Sequence, residues 1–377
     1  MWVYCLHHYS GVYICTMNIN DFLPQAYSHT LTDNSVSYEA PSNIALIKYW
    51  GKHGEQLPKN PSISFTLNNC KTTTHLSFEV LEKELKDEYN FKVFLDGEPE
   101  PGFEPKIEQF FNRINKYIPF LRKYRFKIET SNSFPHSSGI ASSASGMSAL
   151  SLCLMQMENL MQPNMSIEHF NEKASFLARL GSGSACRSIN GPLVVWGAHE
   201  HIEGSSDLYG VKYPYKINEI YNDFQDTILL VDKGEKQVSS TVGHNLMNNH
   251  PYSVGRFEQA FEQMAKIIPI LENGNLEAFI HLVEREALTL HAMMMTSSPY
   301  FILMKPNTLQ IIEKIWDFRR ETEIPVCFTL DAGANVHVLY PESYAPRVLD
   351  FIKNELVAYC QNGHYICDSV GSGARKL

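Results

Sequence analysis

The stretch FPHSSGIASSASGMSAL, Phe134 to Leu150, decides how the rest of the chain is read. Small residues crowd its first part: Ser137, Ser138, Gly139, Ala141, Ser142 and Ser143. An amphipathic run follows, from Met147 through Leu150 and Leu154 to Leu160. This pattern predicts a tight turn feeding a helix N-terminus. Such a terminus carries unpaired backbone N–H groups and about half a positive charge. Small side chains let an anion reach that backbone, and serine hydroxyls add donors. No Gly-Lys-Ser/Thr closes the loop, so it is not a Walker A motif. A nucleotide held here takes its cations from Mg²⁺ and from elsewhere in the chain. The competing reading is an N-capped helix whose small residues serve close packing.

Bulk composition narrows the choices. The chain has 377 residues, enough for a large core and two domains. Hydrophobic residues make up 44% and charged residues 19%, an ordinary globular balance. The formal net charge is −9, which argues against a nucleic-acid partner. Any positive field that grips a polyanion must therefore be local, which singles out each Lys or Arg beside a glycine- or serine-rich turn. Of the 8 cysteines, none forms a CxxC pair or a zinc-ligand grouping with histidine. Most lie in apolar runs and read as small hydrophobes, which predicts a reducing cytoplasmic setting. No apolar run has the length of a bilayer span, so no membrane partner is expected.

Outward from the serine-rich stretch, both halves mix strands and helices. Upstream, Ile44 to Trp50 reads as a buried strand breaking at Gly51. Ser62–Leu67 and Thr74–Leu81 alternate as two strands, KIEQFFNRINKYI has helical spacing, and YRFKIETS alternates again. Downstream, a helix from about Ser166 to Leu180 leads into GSGSACRSINGPLVVWG. A polar, Tyr-rich stretch from Glu200 to Asp223 is the best boundary candidate. Beyond it come the strand TILLVD, two long amphipathic helices, HAMMMTSSPYFILM, and a helix around Leu309–Arg320. VCFTLDAGANVHVLYP then reads strand, turn, strand, followed by a helix Tyr344–Tyr359 and the strand HYICDSV. The methionines read as core filler rather than ligands. Without strict βαβ alternation, the fold class is α+β rather than doubly wound. Residues 1–16 are expected to be a non-native or disordered leader ahead of Met17, with an N-terminal domain over 17–205 and a C-terminal domain over 206–377.

Three segments coincide in order: APSNIALIKYWGKHGEQLPKNPSISFTL, FPHSSGIASSASGMSAL and RLGSGSACRSINGPLVVW. VSSTVG, HAMMMTSSPYF and FTLDAGANVHVLYP follow. The ensemble closely resembles the diphosphomevalonate decarboxylase family of the GHMP small-molecule kinase superfamily, from about Tyr38 to Val370. The resemblance implies a two-domain GHMP-kinase-like fold with the active site in the cleft between the domains. It implies ATP and Mg²⁺ as co-reactants, with no metal ligand named, and a homodimer. The implied reaction phosphorylates the 3-hydroxyl of mevalonate 5-diphosphate, then expels phosphate and CO₂ to leave isopentenyl diphosphate.

The resemblance also implies roles. Asp331 matches the family's catalytic aspartate, which takes the proton of a tertiary alcohol. On the residues alone it reads as a turn aspartate bonding its own backbone. Arg187 matches the arginine that holds the substrate carboxylate, for which a guanidinium fork is suited. Lys48 matches a family lysine, although on a strand it also fits a solvent-facing position. Ser182, Gly183 and Ser184 match neighbouring substrate contacts. Tyr49, Lys52 and Ser240 match positions around the diphosphate, with Trp50 helping to exclude water. Gly139, Ser142 and Ser143 match the ATP phosphate loop. Thr241 and Ala334 stand where some relatives carry arginine and proline, so Lys52 carries more of the diphosphate's charge. Two rival readings remain at this point: a kinase that stops after phosphorylating mevalonate or its phosphate, and a non-catalytic nucleotide-binding relative.

Overall fold

A computed structural model describes residues 18–24, 26–135, 140–233 and 240–377. The predicted leader, 1–16, lies outside the described residues. In the first half, β1 (Asn34–Ile47) pairs antiparallel with β4 (Ser62–Val80); the short strands β2 (Lys52–His53) and β3 (Leu57–Pro58) form a hairpin between them. β5 (Asn90–Leu95), β6 (Glu98–Pro99) and β7 (Tyr124–Asn132) extend the sheet on one side. β8 (Leu193–Trp196) and β9 (Val211–Lys212) join along the other end of β4. Helices α1 (Glu104–Ile114), α2 (Ser142–Met161) and α3 (Ile167–Gly181) cover this sheet. α2 is buried almost all round rather than on one face as the amphipathic reading expects, because its small Ser and Ala residues let β1, β4 and α3 all pack against it.

The second half has its own sheet, ordered β11-β12-β10-β13, from β10 (Gln225–Leu229), β11 (Cys327–Thr329), β12 (Val336–Tyr340) and β13 (Tyr365–Ser369). After β10 come α4 (Ser240–Asn245), α5 (Ser253–Asn273), α6 (Leu276–Met295), α7 (Pro306–Thr322) and α8 (Ala345–Phe351). Successive side chains of a strand face opposite ways. Accordingly, Ile228 and Leu339 enter the core built by α5 and α6, while Leu229, Val338 and Tyr340 enter the one built by α7 and α8. The mixed elements are those of an α+β fold.

Two features tie the halves together. In β1, Val36 and Tyr38 pack under α2 and α3, but Ile44 and Leu46 pack toward α5 and α6. The pairing register with β4 shifts between Pro41 and Asn43. There β1 advances two residues while β4 advances five, an irregularity of three residues across which even-numbered β1 positions change face. The second feature is Asp368 at the end of β13. Its Oδ1 accepts from Asn68 N (2.9 Å) and Asn69 N (2.8 Å), and its Oδ2 from Cys70 N (2.7 Å). A final strand, β14 (Arg375–Lys376), returns to pair with β1 at Tyr38 and Glu39.

Two expectations need correction. The expected strands Ser62–Leu67 and Thr74–Leu81 are one strand ending at Val80, because the polar break at Asn68–Cys70 is bridged by the Asp368 carboxylate rather than turned. The expected helix Tyr344–Tyr359 is α8 followed by a wider turn, Ile352–Leu356, and a tighter one, Val357–Tyr359. Among the described residues, no helix is long and apolar enough to cross a membrane.

Candidate active site

A cleft of about 260 Å³ opens where α2 starts, β1 ends and the β11–β12 turn approach one another. Lys48, Tyr49, Trp50, Lys52, Ser143, Ser182, Gly183, Ser184, Arg187 and Asp331, all singled out from sequence, line it. Of the remaining sequence-predicted residues, Ser142 is the first residue of α2 but is not part of the lining. Ser240 opens α4, but its side chain lies outside the described residues, as does Gly139 altogether. A roomier depression of about 480 Å³ lies beside Ser166 and Lys173, and none of the predicted residues lines it.

β1 ends at Ile47, and Lys48 follows immediately. Its side chain does not face solvent; it is buried and its Nζ lies 3.1 Å from Asp331 Oδ1. The Lys48 backbone is held on both sides. Its N–H donates to Glu286 Oε2 (2.9 Å), and its carbonyl accepts from Arg256 Nη2 (2.9 Å). Glu286 and Arg256 pair with each other through two bonds, at 3.0 and 2.7 Å, and both side chains are fully buried. Burial pushes the Lys48 ammonium below its ordinary value, and Arg187 adds to this; Asp331 and Glu286 pull it back up.

Asp331 sits after β11 in a turn closed by Gly333 N donating to its carbonyl (2.7 Å). His291 on α6 donates to the same carbonyl from Nε2 (3.1 Å), since a carbonyl only accepts. Arg187 lies in the short turn Gly183–Ser188 after α3. Its guanidinium is over the Trp196 ring, and Nη1 donates to Ser62 Oγ (2.6 Å). Its Nε is buried with no hydrogen-bond partner among the described residues. Burial lowers the Arg187 pKa, opposed by nearby Cys186 and Asp331. A buried guanidinium with an unused N–H beside a cleft is matched to an anionic group.

Two glycines are required for shape. Gly51 turns the chain at φ +98°, conformation that L side chains rarely adopt. A Cβ at Gly183 would lie 2.9 Å from the Tyr49 hydroxyl and 3.0 Å from the Trp196 ring. Tyr49 packs edge-on against Trp196, with centroids 4.6 Å apart. Beneath the cleft, Trp50 clusters with Met247, Leu290, Met293 and Met294, so the HAMMM methionines are core side chains here apart from exposed Met295. Ala141, in a left-handed conformation with no side-chain cap, leads into α2. The helix start thus presents backbone donors beside Ser143.

Sequence reasoning missed Glu286, Arg256, His291, His244, Gln56 and Lys106. The last three also line the cleft. Charged residues on amphipathic helices read as solvated, so only the pairing of two such helices reveals Glu286 and Arg256.

His291 gives a stability prediction. Burial holds its imidazole neutral, down to about 4. The unfolded chain takes up a proton near the ordinary histidine value, about 6.5, before the folded chain does. The contribution is therefore whole above pH 6.5 and is lost as pH falls through the folded value. It amounts to roughly 3 kcal/mol in total. Denaturant titrations from pH 7 to 4 should show a shallower pH slope in His291→Gln than in the parent; equal slopes would contradict the assignment.

Comparison with known proteins agrees with this geometry. Residues 40–208 match the family model of the diphosphomevalonate decarboxylase-like N-terminal domain. Residues 227–371 match that of the mevalonate 5-diphosphate decarboxylase C-terminal domain. The diphosphomevalonate decarboxylase of Aspergillus fumigatus is 29% identical over 332 residues, 83% of this chain and 78% of its own. The crystal structure of mevalonate diphosphate decarboxylase from Staphylococcus aureus aligns with a TM-score of 0.77 at 27% identity, covering 92% of this chain and 98% of that one. A solved structure described as MDDEF in complex with MVAPP, AMPPCP and magnesium aligns equally well: TM-score 0.77, 27% identity, 92% and 99% covered.

Proposed function

The chain belongs to the diphosphomevalonate decarboxylase family, and from that premise we propose how its own residues carry out the ATP-dependent decarboxylation of mevalonate 5-diphosphate to isopentenyl diphosphate. ATP and Mg²⁺ are the co-reactants, and ADP, phosphate and CO₂ the other products. The observation that carries the assignment is the Lys48–Asp331 contact, 3.1 Å, in one cleft with an Arg187 whose Nε has no partner among the described residues.

Asp331 accepts the proton of the substrate's 3-hydroxyl as that oxygen attacks the γ-phosphorus of ATP. Lys48 holds the carboxylate in place through its 3.1 Å contact with Asp331 Oδ1. Arg187 binds the substrate carboxylate and keeps it ionised until the C–C bond breaks. The electron pair of that bond then forms the new double bond as phosphate leaves the tertiary carbon. Departure builds positive charge there, and the apolar cluster under Trp50 keeps water away from it. We assign Tyr49, Lys52 and Ser240 to the diphosphate, Ser182, Gly183 and Ser184 to the substrate backbone, and Gly139, Ser142 and Ser143 to the ATP phosphates. The start of α2, with Ala141 and Ser143 in the cleft lining, suits that last group. When bound, Mg²⁺ supplies charge neutralisation between phosphates. Among the described residues no group of three metal-ligating side chains occurs, and no residue of the chain is named as its ligand.

We further propose a domain division at residues 205 and 206 and, on resemblance alone, a homodimer. A reducing cytoplasmic setting is supported by six free cysteines among the described residues. The test of function is incubation with mevalonate 5-diphosphate, ATP and Mg²⁺, scoring products together. Equimolar ADP, phosphate, CO₂ and isopentenyl diphosphate are expected. ADP formed without CO₂ or free phosphate would identify a kinase instead.

A further inference from the structure

His244 is the one histidine in the cleft lining, and nothing above gives it a task. It lies on α4, four residues after Ser240, and is 7% exposed. Its ring packs tilted against two side chains of the cleft, with centroids 4.2 Å from Tyr49 and 4.6 Å from Trp50. Its Nδ1 accepts a hydrogen bond from Gly51 N at 3.0 Å. A backbone N–H only donates, so Nδ1 is unprotonated. A neutral imidazole with a bare Nδ1 carries its proton on Nε2. Nε2 has no hydrogen-bond partner among the described residues, although the side chain is more than nine-tenths buried.

Its surroundings keep the ring in that state. Burial, with the Lys52 and Arg187 charges nearby, pushes the imidazole down to about 3. The cleft therefore holds a fixed, uncharged N–H donor among cations. A donor that stays neutral adds a directed bond to an anion without adding repulsion against Lys52. That property suits a multiply charged group whose oxygens exceed the available cations.

We propose that His244 Nε2–H donates to a phosphate oxygen of the substrate's 5-diphosphate, making His244 a substrate-binding residue. The inference rests on the function proposed above, which puts that group beside Tyr49 and Lys52. The Gly51 bond fixes the donor's direction, and the same bond joins the ring to the turn that carries Lys52. The two donors are thereby held at a set spacing.

Two substitutions separate binding from scaffolding. Asn at this position offers its carbonyl to Gly51 N–H but does not reach as far as Nε2; Gln reaches that far with an amide donor. Calorimetric titration of His244→Asn with mevalonate 5-diphosphate should show affinity weakened roughly ten- to hundredfold, the effect of losing one hydrogen bond to a charged group. ADP affinity and melting temperature should stay near those of the parent, and His244→Gln should recover part of the loss. Parent-like substrate affinity in His244→Asn overturns the proposal. So does a joint fall of substrate affinity, ADP affinity and melting temperature, which marks a purely structural role. If the parent itself binds no mevalonate 5-diphosphate, the functional reading fails and takes this inference with it. If the parent releases CO₂ normally while His244→Asn binds like it, only the inference fails.

Discussion

Asp331→Asn should lower turnover by roughly 10²- to 10⁴-fold, the range of a lost general base. The backbone around the substitution is held independently of the carboxylate. Gly333 N and His291 Nε2 both bond the Asp331 carbonyl, so Asn occupies the same place. Asn keeps the size and one acceptor oxygen, and Lys48 retains a hydrogen-bond partner. What disappears is the basic oxygen that takes the proton. Dissociation constants for ATP and mevalonate 5-diphosphate should therefore change only a few-fold, while the single-turnover rate of ADP formation collapses. A variant with parent-like turnover would show that another group, or water, removes the proton.

The second large effect falls on stability. Glu286→Ala removes the only partner of Arg256 Nη1 among the described residues and one of the two partners of Nη2, deep in the protein. Arg256 Nε already lacks a partner among the described residues. The substitution also orphans the Lys48 N–H. Breaking a buried pair from one side costs about 3–5 kcal/mol, because the remaining charge is uncompensated. A lowered denaturant midpoint should be accompanied by weaker catalysis, since the pair brackets the Lys48 peptide from both sides. The double variant Glu286→Met with Arg256→Met should be milder than either single change. Glu286→Ala within about 1 kcal/mol of the parent would contradict the positional role assigned to the pair.

What could be read in the sequence follows a physical pattern. The serine-rich turn, SGSACRS and DAGAN were legible because each packs its chemistry into adjacent residues. The roles of Lys48, Arg187 and Asp331 came from the family resemblance that such segments carry, and the three residues meet in one cleft. Glu286 and Arg256 were not legible: each is a charged residue on an amphipathic helix, which by itself reads as a solvated face. Only the packing of α5 on α6, 30 positions apart in sequence, turns them into a buried pair. His244 was passed over for a similar reason, since its partner Gly51 is 193 positions away. The strand alternation was legible, but its continuity was not. Asn68–Asn69–Cys70 looks like a turn until Asp368 arrives from the far end of the chain. The flip of facing in β1 was equally hidden, because a register shift against the partner strand leaves no mark in composition.

The Asp368 clasp bears on how the molecule comes off the ribosome. Synthesis proceeds from the N-terminus, so the long β4 strand emerges some 300 positions before the carboxylate that satisfies its three mid-strand amides. During that interval the bend has no native acceptor, and the edge of β1 that later receives Arg375 and Lys376 stays open. A nascent chain in that state exposes an unsatisfied strand edge of the kind that recruits chaperones or aggregates. Shortening the protein ahead of Asp368 thus strikes the first-made sheet as hard as the last-made one, and yield in the cell will depend on both ends being delivered together.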